Sequence, residues 1–240
     1  MSLKKSIKQP LLFRIKARIT AKIHQFPSSA YFYFRFTNPF YIGALIFLLF
    51  FVRLCNNDSG NKGVEYFEKG EFNMAMDHYN EYLLLHPHHI KTIYNRGRCY
   101  DEMGFPEKAA EDYEQVLERD SHNIKALLSL SQYYYKAEKY EFAINLCASA
   151  TMIEKQNYLA HYYKGRAHHK IGEFSSALSA YNSAIEINPE FGFAYFHRSS
   201  LLFSIGMTPF GCLDLQTAEN LDVAGATEAL DKYCRKTLKN

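Results

Sequence analysis

From residue 56 onward the apolar and polar positions recur with a single period. Blocks beginning at Asn56, Ile90, Ile124, Tyr158 and Gly192 are each 34 residues long and follow one another without insertion. Gly63, Gly97 and Gly165 fall at one point of the block, with Ser131 and Ser199 in the same place, and Tyr66, Tyr100, Tyr134, His168 and Leu202 stand three residues further on. Ala75, Ala109, Ala143, Ala177 and Gly211 form a second small column, and Tyr79, Tyr113, Cys147, Tyr181 and Leu215 follow it by four residues. Small residues recur where two helices must approach closely, with large apolar residues at helical spacing on both sides. Gly70, Gly104, Gly172 and Gly206 separate the halves of their blocks, where a turn needs an unhindered backbone. The pattern predicts two helices per block and an all-α chain.

A period of this length is the mark of a repeat architecture. The glycine and tyrosine three apart, the alanine and tyrosine four apart, and Pro87 and Pro189 at block ends resemble the tetratricopeptide repeat. The resemblance covers residues 56–225, as repeats 56–89, 90–123, 124–157, 158–191 and 192–225. The third and fifth copies are the weaker matches, the second also lacks the closing Pro that they lack, and no copy has Trp near its start, where Ser59, Ile93, Leu127, His161 and Tyr195 stand. The resemblance implies a right-handed α-solenoid of five helix-turn-helix repeats. An open solenoid end needs covering, and residues 226–240, with Ala229, Leu230 and Tyr233 on one stripe, are expected to form a capping helix.

Upstream of the repeats, Phe36 to Val52 is a run of 17 uncharged, mostly apolar residues between Arg35 and Arg53. Its length is at the short end for a bilayer span, and flanking arginines can snorkel. Tyr31, Phe32, Tyr33, Phe34, Phe40 and Tyr41 would supply an aromatic belt. The expectation is a transmembrane anchor at 36–54 behind a basic cytoplasmic tail at 1–35. Residues 1–54 carry nine Lys and Arg and no Asp or Glu, and the eight that precede the apolar run place the tail inside and the repeats in a periplasm. A mitochondrial membrane is the alternative location, given the acid-free, Ser-containing N-terminus. Cys55 opens a lipoprotein-like "CNNDSG", a candidate lipidation site, although Leu54 and Arg53 precede it where a small residue is expected. The ending "CLDLQTAENLDVAGATEALDKYC" resembles in style those of tetratricopeptide proteins from Bacteroidetes bacteria.

Taking those nine from the 28 basic residues leaves 19 against 25 acidic ones in residues 55–240, a net of −6. A body of that charge lacks the basic face that nucleic acid requires. The chain has no Gly-rich phosphate loop, nucleophile elbow or HExxH motif, so no enzyme and no cofactor are expected. His86, His88 and His89 cluster in "HPHH" at the turn joining the first two repeats, which reads as a solvated turn rather than a metal site. The five cysteines lack CxxC spacing. If the last two helices pack antiparallel about Val223, Cys212 and Cys234 lie nearly opposite, as a disulfide or as two buried thiols.

In tetratricopeptide arrays the first helix of each repeat lines a concave groove that commonly holds a peptide or partner helix. Carried onto this chain, that geometry selects Tyr94, Asn95 and Arg98, then Lys125, Gln132, Tyr135 and Lys136. Tyr162, Arg166, His169 and Lys170 follow, then Phe193 and Phe196. The set is aromatic and cationic, which suits an acidic partner segment or a C-terminal carboxylate. Part of it could equally be inter-repeat core. Chaperone-binding members hold a carboxylate with Lys, Asn, Asn, Lys and Arg; the matching positions here are Gly60, Val64, Asn95, Lys125 and Ser129. Only Asn95 and Lys125 fit, which argues against a heat-shock-chaperone cofactor. The sequence therefore predicts a non-catalytic, membrane-anchored adaptor for a protein or peptide ligand, in a bacterial envelope or secretion assembly or as a mitochondrial receptor.

Overall fold

The computed structural model describes residues 59–235. Helix α1 (59–68) is followed by α2 (Phe72–Leu85), α3 (Ile90–Glu102), α4 (Pro106–Arg119), α5 (Ile124–Lys136) and α6 (Tyr140–Ile153). Then come α7 (Tyr158–Lys170), α8 (Phe174–Ile187), α9 (Gly192–Ser204), α10 (Thr208–Asn220) and the short α11 (Ala226–Leu230). A π-helical turn, Asp231–Arg235, continues directly from α11. No strand occurs among the described residues.

Each even-numbered helix packs against the odd-numbered helix before it and the one after it, and α5–α7 and α7–α9 also touch. Odd-numbered helices thus sit on the inner face of the stack and even-numbered ones outside. Close approach within a repeat is set by the small columns. A Cβ on Gly165 would stand 2.8 Å from the Tyr181 ring, and one on Gly97 at 2.8 Å from Tyr113. Tyr79, Tyr113 and Tyr181 are fully buried beneath those glycines. Cys147, in the same column, is also buried, and burial pushes its thiol up to about 11.

The turns between paired helices run through the left-handed backbone region at Gly70, Gly104, Gly172 and Gly206, with φ between 76° and 79°. The third repeat puts Glu138 there at φ 58°. At the far end Leu230 and Cys234 are buried against Leu215, beside Phe196 and Phe203, and Cys212 is joined to Cys234 by a disulfide. Where one capping helix was expected, the chain makes a five-residue α-helix and a π turn. Tyr233, expected on the apolar stripe, remains about half exposed and stacks on Phe203.

The membrane assignment needs correction. No helix among the described residues is long and apolar enough to cross a membrane. The anchor at 36–54, the tail at 1–35 and Cys55, from which a single-pass chain with periplasmic or mitochondrial repeats was expected, lie outside the described residues. An apolar run of 17 residues was marginal for a bilayer in any case.

Candidate functional site: the inner groove

Four odd-numbered helices present the groove residues, because positions 34 apart in sequence return to equivalent places on successive helices. Arg98, Gln132, Arg166 and Ser200 occupy one such column, and Asn95, Ser129, Tyr163 and His197 another.

The structure gathers the expected residues into separate places. Tyr94, Asn95, Arg98 and Lys125 share a cavity of about 590 Å³ between α3 and α5, which Asp120, His122 and Asn123 also line. Arg98 lies over the Phe67 ring at 4.2 Å. Gly60, Val64 and Asn95, three of the clamp-equivalent positions, line a neighbouring cavity of about 320 Å³.

Tyr135, Arg166, His169 and Lys170 form a second cavity, about 390 Å³, with Tyr181, His197 and Ser200. Arg166 is stacked 4.3 Å from the Tyr135 ring centroid and 5.6 Å from that of Tyr162. Tyr162 itself is only 6% exposed and belongs to the core with Tyr181 and Leu201. Phe196 lines a third cavity, of about 560 Å³, beside Phe203 and Tyr233. Phe193 is 47% exposed and packs on Phe191. Gln132 and Lys136 line none of these cavities.

The second cavity is the most polarised. Its lining carries Arg166, Lys170 and two imidazoles but no carboxylate. Burial, then Arg166, His169 and Lys170, lower the His197 pKa to about 4, so that this ring is neutral at pH 7. Burial and Lys170 also lower His169. Arg166 Nε and the Tyr181 hydroxyl are buried there without a hydrogen-bond partner. A buried donor left unpaired is costly. Two donors and a fixed cation around one space complement an anion of carboxylate size.

His197, Tyr181 and Ser200 were missed by the sequence reading. The repeat register held the signal: His197 is the fifth-repeat equivalent of Asn95, and Ser200 that of Arg166. Tyr181 sits in the column read as core, yet it also lines this cavity.

Elsewhere the histidines have ordinary partners. His168 Nδ1 is 2.6 Å from Glu173 Oε2, and Arg119 Nη2 donates to His88 Nδ1 at 3.1 Å. No group of three His, Cys, Asp or Glu among the described residues could hold a metal ion.

A stack of paired helices on a 34-residue period, with an inner groove, defines a helical-repeat solenoid. Two family models described as "Tetratricopeptide repeat" match residues 94–156 and 158–191, within the second to fourth repeats. Among curated proteins the chain is similar to stress-induced-phosphoprotein 1 of Caenorhabditis elegans, 35% identical over 68 residues, 28% of this chain and 21% of that protein. It is similar to tetratricopeptide repeat protein 6 of Homo sapiens, 27% identical over 171 residues, 55% of this chain and 32% of that one. The Hsp70-Hsp90 organizing protein of Triticum aestivum is 24% identical over 206 residues, 70% of this chain and 35% of that one. The chain thus spans between about a fifth and a third of the length of these relatives. Among solved structures, a MamA protein superposes with TM-score 0.62 at 22% identity, over 72% of this chain and 94% of that one. MamA residues 41 to the end from Desulfovibrio magneticus RS-1 superposes at 0.64 and 14% identity, over 70% and 94%. At those identities the likeness establishes the fold.

Proposed function

We propose that the protein is a non-catalytic scaffold that holds an acidic protein segment along its inner groove. The observation that carries this reading is the cavity around Arg166, where Arg166 Nε and the Tyr181 hydroxyl lack partners and no carboxylate lines the wall. An Asp, Glu or terminal carboxylate of the partner satisfies both donors there. Tyr135 lines the same cavity, and Phe196 lines the next one, which shares His197 and Ser200 with it; rings of this kind anchor interfaces. The first cavity, with Arg98 and Lys125, extends the cationic surface toward the N-terminal repeats. The match to the tetratricopeptide models supports a protein partner, since tetratricopeptide arrays serve as protein-interaction scaffolds, and the names of relatives such as the Hsp70-Hsp90 organizing protein agree with that class.

The test is a pull-down with the unsubstituted chain and with Arg98→Glu combined with Arg166→Glu. The double variant is expected to lose the partner that the unsubstituted chain retains; Arg98 is exposed but Arg166 is half-buried, so Tm is read alongside to confirm that the variant is folded. Undiminished recovery of the partner by the double variant overturns the groove assignment.

A further inference from the structure

Two repeats carry the same internal ion pair on the face of the odd-numbered helices away from the groove. Arg96 donates through Nε and Nη2 to Asp112 at 2.8 and 2.6 Å, and through Nη1 to Asn80 Oδ1 at 3.2 Å. Arg198, 102 residues on, repeats this with Asp214 at 2.7 and 2.7 Å and Asn182 at 2.6 Å. Each cation lies between the outer helix before it and the outer helix after it, and both partners come from the protein.

The intervening repeats depart from this in different ways. In the third repeat the Arg and Asp positions are Leu130 and Leu146, and the pair has become core packing against the second repeat. In the fourth repeat a cation remains, Lys164, but the Asn position is Ala148 and the Asp position is Ala180. The two truncations leave a cavity of about 480 Å³ lined by Ala148, Lys164 and Ala180, with Ile144, His161, His168, Ser176, Ser179 and Ser183 around them. Lys164 has no hydrogen-bonded or ionic partner among the described residues. No carboxylate lines the cavity. Lys164 and Arg166 are two residues apart, so they point about 200° away from each other around α7. This cavity is therefore separate from the inner groove.

We propose that the outer face of the fourth repeat is a second docking site, which takes an Asp or Glu side chain of an acidic protein partner where Asp112 and Asp214 complete the other repeats internally. The fold itself shows which chemistry the position accepts, because a carboxylate and an amide fill it twice in the same chain. Lys164 supplies the charge, and the three serine hydroxyls supply further hydrogen-bonding groups for a second acidic or amide side chain, while His161 Nε2 is engaged with the Lys155 carbonyl at 3.0 Å. The alanines leave the room that the internal partners would take up.

The test uses the full chain carrying Arg98→Glu and Arg166→Glu, so that loss of the groove and loss of this site are read apart. The probe is a six-residue peptide of alternating Asp and Glu, acetylated and amidated, titrated by amide NMR. Binding is expected to move the amides of Lys164, Ser179 and Ser183. Lys164→Ala is expected to weaken it about tenfold, the loss of one charge-assisted hydrogen bond. Combining Ala148→Asn, Lys164→Arg and Ala180→Asp rebuilds the internal pair and is expected to abolish binding while the chain stays folded. Equal affinity in Lys164→Ala, or undiminished binding by the rebuilt triple variant, overturns the proposal. Inorganic phosphate competing at the peptide's own concentration overturns the carboxylate assignment.

Discussion

Arg166 lies over the Tyr135 ring, 4.3 Å from its centroid, and partial burial, followed by the charges of Arg166, His169 and Lys170, keeps the His197 ring neutral at pH 7. The consequence is a pH dependence of known sign. The folded-state pKa of His197 is about 4, below the value near 6.5 that the unfolded chain shows. Between those values the unfolded chain takes up a proton that the folded chain refuses, so stability falls as pH drops through that window. Between pH 7 and pH 5 the loss from this group is about 2 kcal/mol. Urea denaturation of His197→Gln at both pH values is expected to show a smaller drop than the unsubstituted chain. An equal drop would assign the acid sensitivity to other groups, His169 first among them, since burial and Lys170 lower it in the same direction. A carboxylate bound beside the ring would favour its protonated form, so acidic-peptide affinity should rise on the same acidification.

The third repeat stores strain at its turn. Glu138 holds φ 58° where four other repeats place glycine, and nothing lies within 4 Å of a Cβ built on Gly104 or Gly172. Backbone strain, rather than crowding, thus distinguishes the positions. A side chain in this region costs about 1–2 kcal/mol, and glycine returns part of that gain through its extra freedom when unfolded. Glu138→Gly is expected to raise stability by about 0.5–1 kcal/mol, measured as a shift of the urea midpoint at unchanged slope. Gly104→Ala should lower it by about 1–2 kcal/mol.

How much of this was legible follows from which quantities repeat. Helix pairs, turns and the tyrosine column were readable because one packing problem recurs five times, with tyrosine kept in three copies of the column and glycine at four of the turns. The groove helices were readable for the same reason, as Arg98 and Arg166 stand in one column. What escaped is what differs between repeats. The cavity at Arg166 depends on the Tyr181 hydroxyl, whose column otherwise signals burial, and on His197, which replaces an asparagine. Tyr162 looked like groove surface, yet Phe191 closes over it with ring centroids 5.0 Å apart. The π turn after α11, where Leu230 and Cys234 pack on Leu215, leaves no signal in the repeat pattern, which ends at residue 225.

The repeated ion pairs make a third prediction. Asp214 is buried and held by Arg198 through two short hydrogen bonds. Removing the cation alone strands a buried carboxylate, so Arg198→Leu is expected to cost about 3–5 kcal/mol. Arg198→Leu with Asp214→Leu copies the Leu130 and Leu146 arrangement of the third repeat and is expected to recover most of that loss. Thermal and urea unfolding of the two variants checks the difference. A double variant as unstable as the single one would mean that packing against Asn182, not the stranded charge, dominates.

The last prediction concerns the end of the stack. The disulfide between Cys212 and Cys234 closes a loop with a sequence separation of 22 and ties α10 to the cap. Leu230 and Cys234 cover Leu215, which would otherwise form the exposed apolar end of the solenoid. Closing a loop of this length removes unfolded-state freedom worth about 3 kcal/mol. Cys212→Ser with Cys234→Ser is expected to lower stability by that order, with the largest gain in amide exchange over α10 and residues 226–235. Cys99 and Cys147 act as the internal control. Both thiols are buried, and burial pushes each up to about 11, so mild reductant or alkylating agent should leave them unmodified. Reductant should therefore reproduce the double-serine phenotype in the unsubstituted chain and leave the double-serine variant unchanged. A Tm that ignores reductant in both proteins would show that Leu230 and Ala226 hold the cap without the covalent link.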